Sequence, residues 1–295
     1  MENGNQLKGF LLAILAATLW GVSGTFGQFI FNSRGINPAW LVTVRCLSSG
    51  LILLAFGFMK FGAAIFNIWK NKQDILSLLI FGLIGIPLVQ YTYFAAIQHS
   101  NAATATVLQY AGPALIAIYL ALINKRLPGM YTILAIAMAI TGTFLLVTHG
   151  SFNSLSISSL ALFWGIASAV ALAFYSIQPV KLLHRYHAII VIGWAMLIGG
   201  IAFSFVHVPW KVEGIWDLDT CISITFIILL GSVIAFYAYL TAVKWIGAQT
   251  TSLLASAEPL SAALISIFWL KVSFGSMDIV GSVMILLAIF LLARK

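Results

Sequence analysis

The 295-residue chain is 62% apolar and only 7% charged, with a mean hydropathy of +1.06 and a formal charge of +8. An ordinary soluble domain carries roughly 25% charged residues, so a water-soluble globule is excluded, and with it any soluble catalytic or nucleic-acid-binding domain. Because about 20 mostly apolar residues cross a bilayer, ten crossings fill roughly 200 positions and leave only short loops.

The first apolar run, Gly9 to about Phe31, follows an amino terminus without a strongly basic stretch and is longer than the core of a signal peptide. It predicts a retained first helix. Further runs predict helices over 38–59, 75–96, 102–123, 130–148, 158–180, 188–208, 221–243, 248–270 and 277–293. Breaker-rich connections separate them, at Asn32–Asn37, Lys60–Asp74, Asn124–Gly129, His149–Ile157 and Pro209–Thr220. The fold class is therefore an all-α integral membrane protein with ten transmembrane helices. Cys46 lies inside one run and Cys221 at the edge of another, a pattern of small apolar packers and not of a disulfide framework.

With a cytoplasmic amino terminus, one side of the membrane receives Lys8, Lys60, Lys70, Lys72, Lys125, Arg126, Lys181, Arg185, Lys244, Arg294 and Lys295. The other side receives only Arg34, Lys211 and Lys271, and Arg45 falls within the second helix. This bias predicts both termini inside. It also supports the count, because one missing helix would invert every later loop and scramble the bias.

A shift of 146 residues places Tyr91, Tyr93, Ala96, Ala102, Thr104, Leu108, Ala111, Pro113 and Ala117 on Tyr237, Tyr239, Ala242, Ala248, Thr250, Leu254, Ala257, Pro259 and Ala263. Lys125 then meets Lys271, and Gly129 meets Gly275. Shared apolar composition does not readily align two tyrosine pairs and both prolines. The chain divides into halves 1–149 and 150–295 of five helices each, and an odd number forces the second half to enter the membrane from the opposite side. Two inverted five-helix repeats are a transporter architecture with a midplane site between the halves.

Trp20-Gly21 in the first helix, Arg45 in the second, Pro113 before an apolar run and Ala257-Glu258-Pro259 before another together resemble the drug/metabolite transporter superfamily, specifically its EamA-type ten-helix exporters. The resemblance covers nearly the whole chain and implies export of small metabolites, often amino acids or related compounds, across the cytoplasmic membrane. The Leu-Gly-Glu-Arg-like endings of the fourth and ninth helices are replaced by Ile123-Asn124-Lys125-Arg126 and Leu270-Lys271-Val272-Ser273. No role of that acidic residue transfers here.

Charges inside a bilayer cost about 2.5–3.5 kcal/mol each on insertion scales and mark cavities or partners. Glu258 lies about 15 Å into the ninth helix and Arg45 about 10 Å from the outer end of the second. Both are expected to face one central cavity, Arg45 offering a fork to a substrate carboxylate and Glu258 binding a substrate amine or a proton. The alternative is a protonated or backbone-bonded Glu258 with Arg45 snorkelling outward. Pro113 and Pro259 are expected as midplane helix kinks that free carbonyls near Gln109 and Ala255 for a ligand, or else as packed kinks.

Tyr91 with Tyr93, and Tyr237 with Tyr239, fall near opposite faces, as gates or as interfacial belts; residues two apart on a helix diverge, so at most one of each pair faces a pore. Trp20, Tyr91, Gln109, Tyr110, Tyr175 and Tyr237 complete the expected substrate-binding set. Gln28, Gln90 and Gln178 add hydrogen-bonding capacity in the cavity or between helices. Gly21, Gly24 and Gly27 give the first helix a smooth stripe for packing or sliding.

Neither a Walker-type G-x-x-x-x-G-K nor H-E-x-x-H nor G-x-S-x-G occurs, which removes ATP-driven pumping by this chain. The histidines, His99, His149, His184, His187 and His207, are scattered near helix ends as interfacial residues. No cofactor, metal site or nucleic-acid partner is expected. The expected function is a secondary transporter exporting small zwitterionic metabolites by alternating access; efflux of lipophilic cations is the runner-up, and a membrane-embedded enzyme or assembly subunit the rival. The expected partners are the lipid bilayer and a small-molecule substrate, with or without coupled protons, for a monomer or a homodimer.

Overall fold

The computed structural model describes residues 2–151, 158–261 and 275–293, and every regular element among them is helical. The first crossing is α1 (Glu2–Arg34), and the second is α2 (Pro38–Phe61), which runs into a 3₁₀ segment, Gly62–Trp69. The third joins α3 (Lys72–Ile80) to α4 (Ile86–Gln98) through a π-helical turn, Phe81–Gly85. The fourth is split into α5 (Ala102–Gln109) and α6 (Gly112–Asn124), and the fifth is α7 (Met130–Thr148).

The second half repeats this plan. Its first crossing is α8 (Ser159–Ile177) with a short extension, α9 (Val180–Arg185), and its second is α10 (Ala188–Phe203). Next, α11 (Leu218–Ile228) joins α12 (Ala235–Ile246) through another π-helical turn, Leu229–Ile234. The ninth crossing opens with α13 (Ala248–Leu254), and the tenth is α14 (Ser276–Ala293). Six of these helical stretches are long and apolar enough to span a bilayer, and α7, α10 and α14 supply shorter apolar helices. The far part of the ninth helix, with Ala263, Lys271 and the Leu270–Ser273 ending, lies outside the described residues, as do Arg294 and Lys295.

Local chemistry sets most helix starts. Asn37 caps α2 with Pro38 at the first helical position, where a missing N–H costs nothing, and Asn71, Asn101, Ser158 and Asp217 cap α3, α5, α8 and α11 through their side chains. The seventh helix ends at Phe203, five residues before the end of the apolar run that predicted it. Phe205 and Val206 beyond it are exposed in a turn, so the apolar run continues past the helix itself.

Packing exchanges equivalent elements between the halves. The second crossings pair with each other (α2 with α10), as do the fifth crossings (α7 with α14). The first crossing of each half lies against the third of the other: α1 against α11 and α12, α8 against α4. Since lipid tails offer helices no hydrophobic drive to associate, such pairs depend on small residues that bring backbones close. A methyl group on Gly50 would stand 2.6 Å from the backbone nitrogen of Leu197, so α2 and α10 cross there in backbone contact. The small face Ala135, Ala139 and Gly142 is occupied within the chain by α14, where a methyl on Gly142 would meet the carbonyl of Gly281 at 2.8 Å.

Candidate functional site

The split crossings place the site. The helix ends after Gln109 and restarts at Gly112, and in the other half it ends after Leu254 and restarts at 257, within one residue of the positions the 146-residue shift relates. Pro113 therefore begins a new helical segment, where its absent N–H breaks no ladder. The expected kinks are interruptions. In the second half the first turn of the restarted helix carries Glu258, whose backbone N–H donates to the Ala255 carbonyl at 2.8 Å. Its counterpart in the first half is Gly112, where α6 abuts α8 and an added methyl would stand 3.0 Å from Leu172. One half contributes a close helix contact at this position and the other a carboxyl group.

Between the halves lies a cavity of about 60 Å³. A single water needs roughly 10–15 Å³ on this measure, so the cavity holds a few waters and must widen to admit a metabolite. Trp20, Arg45, Gln109, Tyr110, Tyr175 and Glu258, all of them in the expected substrate-binding set, line it together with Ser23, Gly24, Gln90, Tyr93, Phe94 and Phe236. Glu258 and Arg45 are 5% and 4% exposed, so neither snorkels to the surface.

Glu258 accepts a hydrogen bond from the Tyr93 hydroxyl at 3.1 Å, and Tyr93 is also paired with the Thr106 hydroxyl at 3.0 Å. Arg45 does not pair with Glu258. Its Nε donates to Ser232 Oγ at 2.9 Å and its Nη2 to the Gly231 carbonyl at 3.2 Å, with the guanidinium 5.0 Å from the Phe94 ring and 5.7 Å from that of Phe236. These acceptors lie in the π-helical turn, and the same carbonyl receives the Trp20 indole N–H at 3.1 Å. Gly231 has to be glycine for α1 to come this close: a methyl there would stand 2.6 Å from Ser23 Oγ. Two of the three guanidinium nitrogens are thus committed to that turn.

Other expected residues have structural partners. The Gln109 amide donates to Ser168 Oγ at 2.6 Å, Gln178 ties α8 to the Ser77 carbonyl at 2.8 Å, and Gln28 accepts the first N–H of α5 at 2.9 Å. The Ala255 carbonyl, expected to be open to a ligand, receives the Tyr110 hydroxyl. Two polar atoms on the cavity wall have no partner: Gln90 Oε1, whose amide nitrogen is spent on Cys46 Sγ at 3.2 Å, and the Tyr175 hydroxyl.

Tyr91 and Tyr237 are corrections. Tyr91 packs against Trp164 and Phe203, each at 5.4 Å between ring centres, and Tyr237 lies beside His187 at 6.1 Å, in a separate groove near Lys60. The inward members of the two pairs are Tyr93, against Glu258, and Tyr239, which packs on Trp20 and Tyr175 and shares a 2.7 Å hydrogen bond with Ser176. Two positions along a helix turn a side chain by about 200°, and sequence alone does not say which of the two turns inward. The packing decides it: a methyl on Gly24 would meet the Tyr93 hydroxyl at 2.9 Å, so this glycine of the first helix is the seat of that tyrosine. Tyr93→Phe is expected to reduce transport about tenfold, the worth of one hydrogen bond to a charged group, while Tyr91→Phe stays within twofold of wild type; initial rates in proteoliposomes check both.

The sequence profile of the EamA-like transporter family matches residues 7–148 and again 159–294. The chain belongs to the EamA-like transporter family, within the drug/metabolite transporter superfamily. It is 41% identical over 98% of its length to an inner membrane transporter of Salmonella typhimurium, YicL, described as uncharacterized, covering 96% of that protein. It is 26% identical over 61% of its length to the pseudopaline exporter CntI of Pseudomonas aeruginosa, covering 59% of that protein. A solved crystal structure superposes with a TM-score of 0.75, covering 98% of this chain and 96% of that one at 17% identity, a likeness of fold. The chain is thus a multi-pass membrane transporter.

Proposed function

We propose that this EamA transporter exports a small amine-bearing metabolite, an amino acid or related zwitterion, by alternating access. Halves 1–149 and 150–295 move against each other around the central cavity, and both termini face the cytoplasm, on the side that receives the greater share of Lys and Arg in the loops. The observation that carries this reading is Glu258: a buried acid, held by Tyr93 and paired with no cation among the described residues, on the wall of the cavity. A substrate ammonium meets this carboxyl group, with Gln90 Oε1 as a second acceptor, and the substrate carboxylate meets Nη1 of Arg45. Outward direction is supported by the relative named as an exporter.

Efflux of lipophilic cations is favoured by a different observation: Trp20, Phe94, Tyr175 and Phe236 give the cavity aromatic walls, on which a flat cation stacks. Counterflow in proteoliposomes separates the two. Labelled amino acids, nucleosides and cationic dyes are offered in turn, with and without a pH gradient. Accumulation of one or more amino acids is the expected result; accumulation of dyes alone transfers the site to the second reading, and uptake of nucleosides alone removes both. If Glu258 carries a proton in the cycle, accumulation follows the gradient.

A further inference from the structure

Two ion pairs lie at opposite ends of the bundle and occupy matching places in the two halves. At one end Arg34, in the last turn of the first crossing, bonds Asp217 at 2.8 Å and approaches Asp219 at 3.8 Å, where the eighth crossing begins. At the other end Arg185, which closes the sixth crossing, bonds Asp74 at 2.6 Å, in the first turn of the third crossing. In both, an arginine ending the first helix of one half holds an aspartate starting the third helix of the other. The seam is the same on both sides of the symmetry: α1 against α11 and α12, and α8 with α9 against α3 and α4.

Each end adds bonds across that seam. The Ile215 N–H donates to the Arg34 carbonyl at 2.8 Å, and at the opposite end the Tyr186 hydroxyl donates to Asp74 at 2.8 Å. The two acids differ in wetness, the Asp74 side chain being 8% exposed and that of Asp217 39%. Hydrogen bonds from the Thr220 hydroxyl and N–H, with Arg34 beside it, hold the Asp217 carboxyl down at about 2, so this pair stays ionised throughout the physiological range. Both pairs are closed, and the cavity between them has room for only a few waters.

We infer that Arg34–Asp217 and Arg185–Asp74 are the paired latches of the two gates, so that breaking the first opens the cavity at the Arg34 end and breaking the second opens it at the Arg185 end. This rests on the alternating-access reading and assigns gating residues to it. Helices of one half separate from those of the other at one end only while the opposite latch holds. The inverted repeat gives the two gates the same construction on opposite faces of the membrane.

The test uses full-length protein in which Cys46→Ala and Cys221→Ser remove native thiols and Ser23→Cys places a reporter on the cavity wall. A membrane-impermeant thiol reagent is applied from either side of oriented vesicles. Asp217→Asn with Asp219→Asn is expected to raise labelling about fivefold from the Arg34 side alone, and Asp74→Asn to raise it more, from the Arg185 side alone, since the Asp74 carboxylate is the more buried of the two acids. Asparagine at 217 retains the helix cap, so the charge alone is removed. The exchange Arg34→Asp with Asp217→Arg is expected to return labelling toward the starting level. Unchanged labelling in both variants, or a rise from the same side in both, overturns the latches. Labelling requires no substrate: a side-specific rise with no transport of any compound supports the latches and removes the transport reading, whereas intact transport with unchanged labelling removes the latches alone.

Discussion

Glu258→Gln is expected to lower the initial transport rate by about 10- to 100-fold while leaving the purified protein monodisperse. Glutamine keeps the shape of the side chain and an oxygen to accept the Tyr93 hydroxyl, so the packing of the ninth helix against α4 is preserved. What it lacks is the negative charge, and a hydrogen bond to a charged group is worth about 1.5–3 kcal/mol, which converts to that range of rates. Removing a charge from the bilayer interior does not weaken the fold, because insertion itself opposes the charge. The measurement is counterflow beside size-exclusion chromatography of the same preparations. A Gln variant that transports at the wild-type rate takes Glu258 out of the substrate path, and one that transports but no longer responds to a pH gradient assigns it to proton coupling instead.

Arg45→Met separates the zwitterion from the lipophilic cation. Truncating one partner of a buried charge pair is costly chiefly because the other is stranded, and Arg45 strands nothing: Ser232 still donates to the Ile227 carbonyl at 2.7 Å, and the Gly231 carbonyl still receives Trp20. Methionine also fills the space between Phe94 and Phe236 with a soft apolar chain suited to aromatic faces. Thermal stability is therefore expected to stay within about 1 kcal/mol of wild type. Transport of an amino acid is expected to fall at least about tenfold, the effect of losing one charge-assisted contact to its carboxylate, while an amine lacking the carboxylate is carried at an unchanged rate. Equal loss for both compounds makes Arg45 a structural strut, and equal retention makes the guanidinium a bystander.

How much of the site was legible follows from where each residue sits in the pattern. Glu258 and Arg45 stood out because a charge within an apolar run is expensive and has to be explained by a cavity or a partner. Trp20, Gln109, Tyr110 and Tyr175 were found as polar or aromatic side chains inside spans. Four of the six also hold the structure: Gln109 bonds Ser168, Tyr110 bonds the Ala255 carbonyl, Trp20 and Arg45 bond the π-helical turn. Tyr91 and Tyr237 were placed inward because the doubled tyrosines marked the right helices, yet the choice within each pair depends on how the third and eighth crossings rotate against α1 and α8. That rotation is set by contacts with other helices, such as the seat Gly24 makes for Tyr93, and not by the helix's own sequence.

The Arg34 and Arg185 pairs show the same division. In sequence both arginines read as loop charges that orient the chain, and Asp74 and Asp217 as residues next to a helix start. That each arginine reaches across to the other half emerges only when the first crossing of one repeat lies beside the third of its partner. Sequence by itself determined the membrane class, the ten apolar runs, the 146-residue repeat and the two charges inside it, because hydropathy, chain length and the cost of burying charge are properties of local stretches. Tertiary structure alone decided which tyrosines face the cavity, that Arg45 rests on a widened turn of the eighth helix instead of on Glu258, and which ends of the bundle are tied. Those depend on the rotation and register of helices packed by small residues, a geometry set by contacts among residues 40 to more than 200 positions apart along the chain.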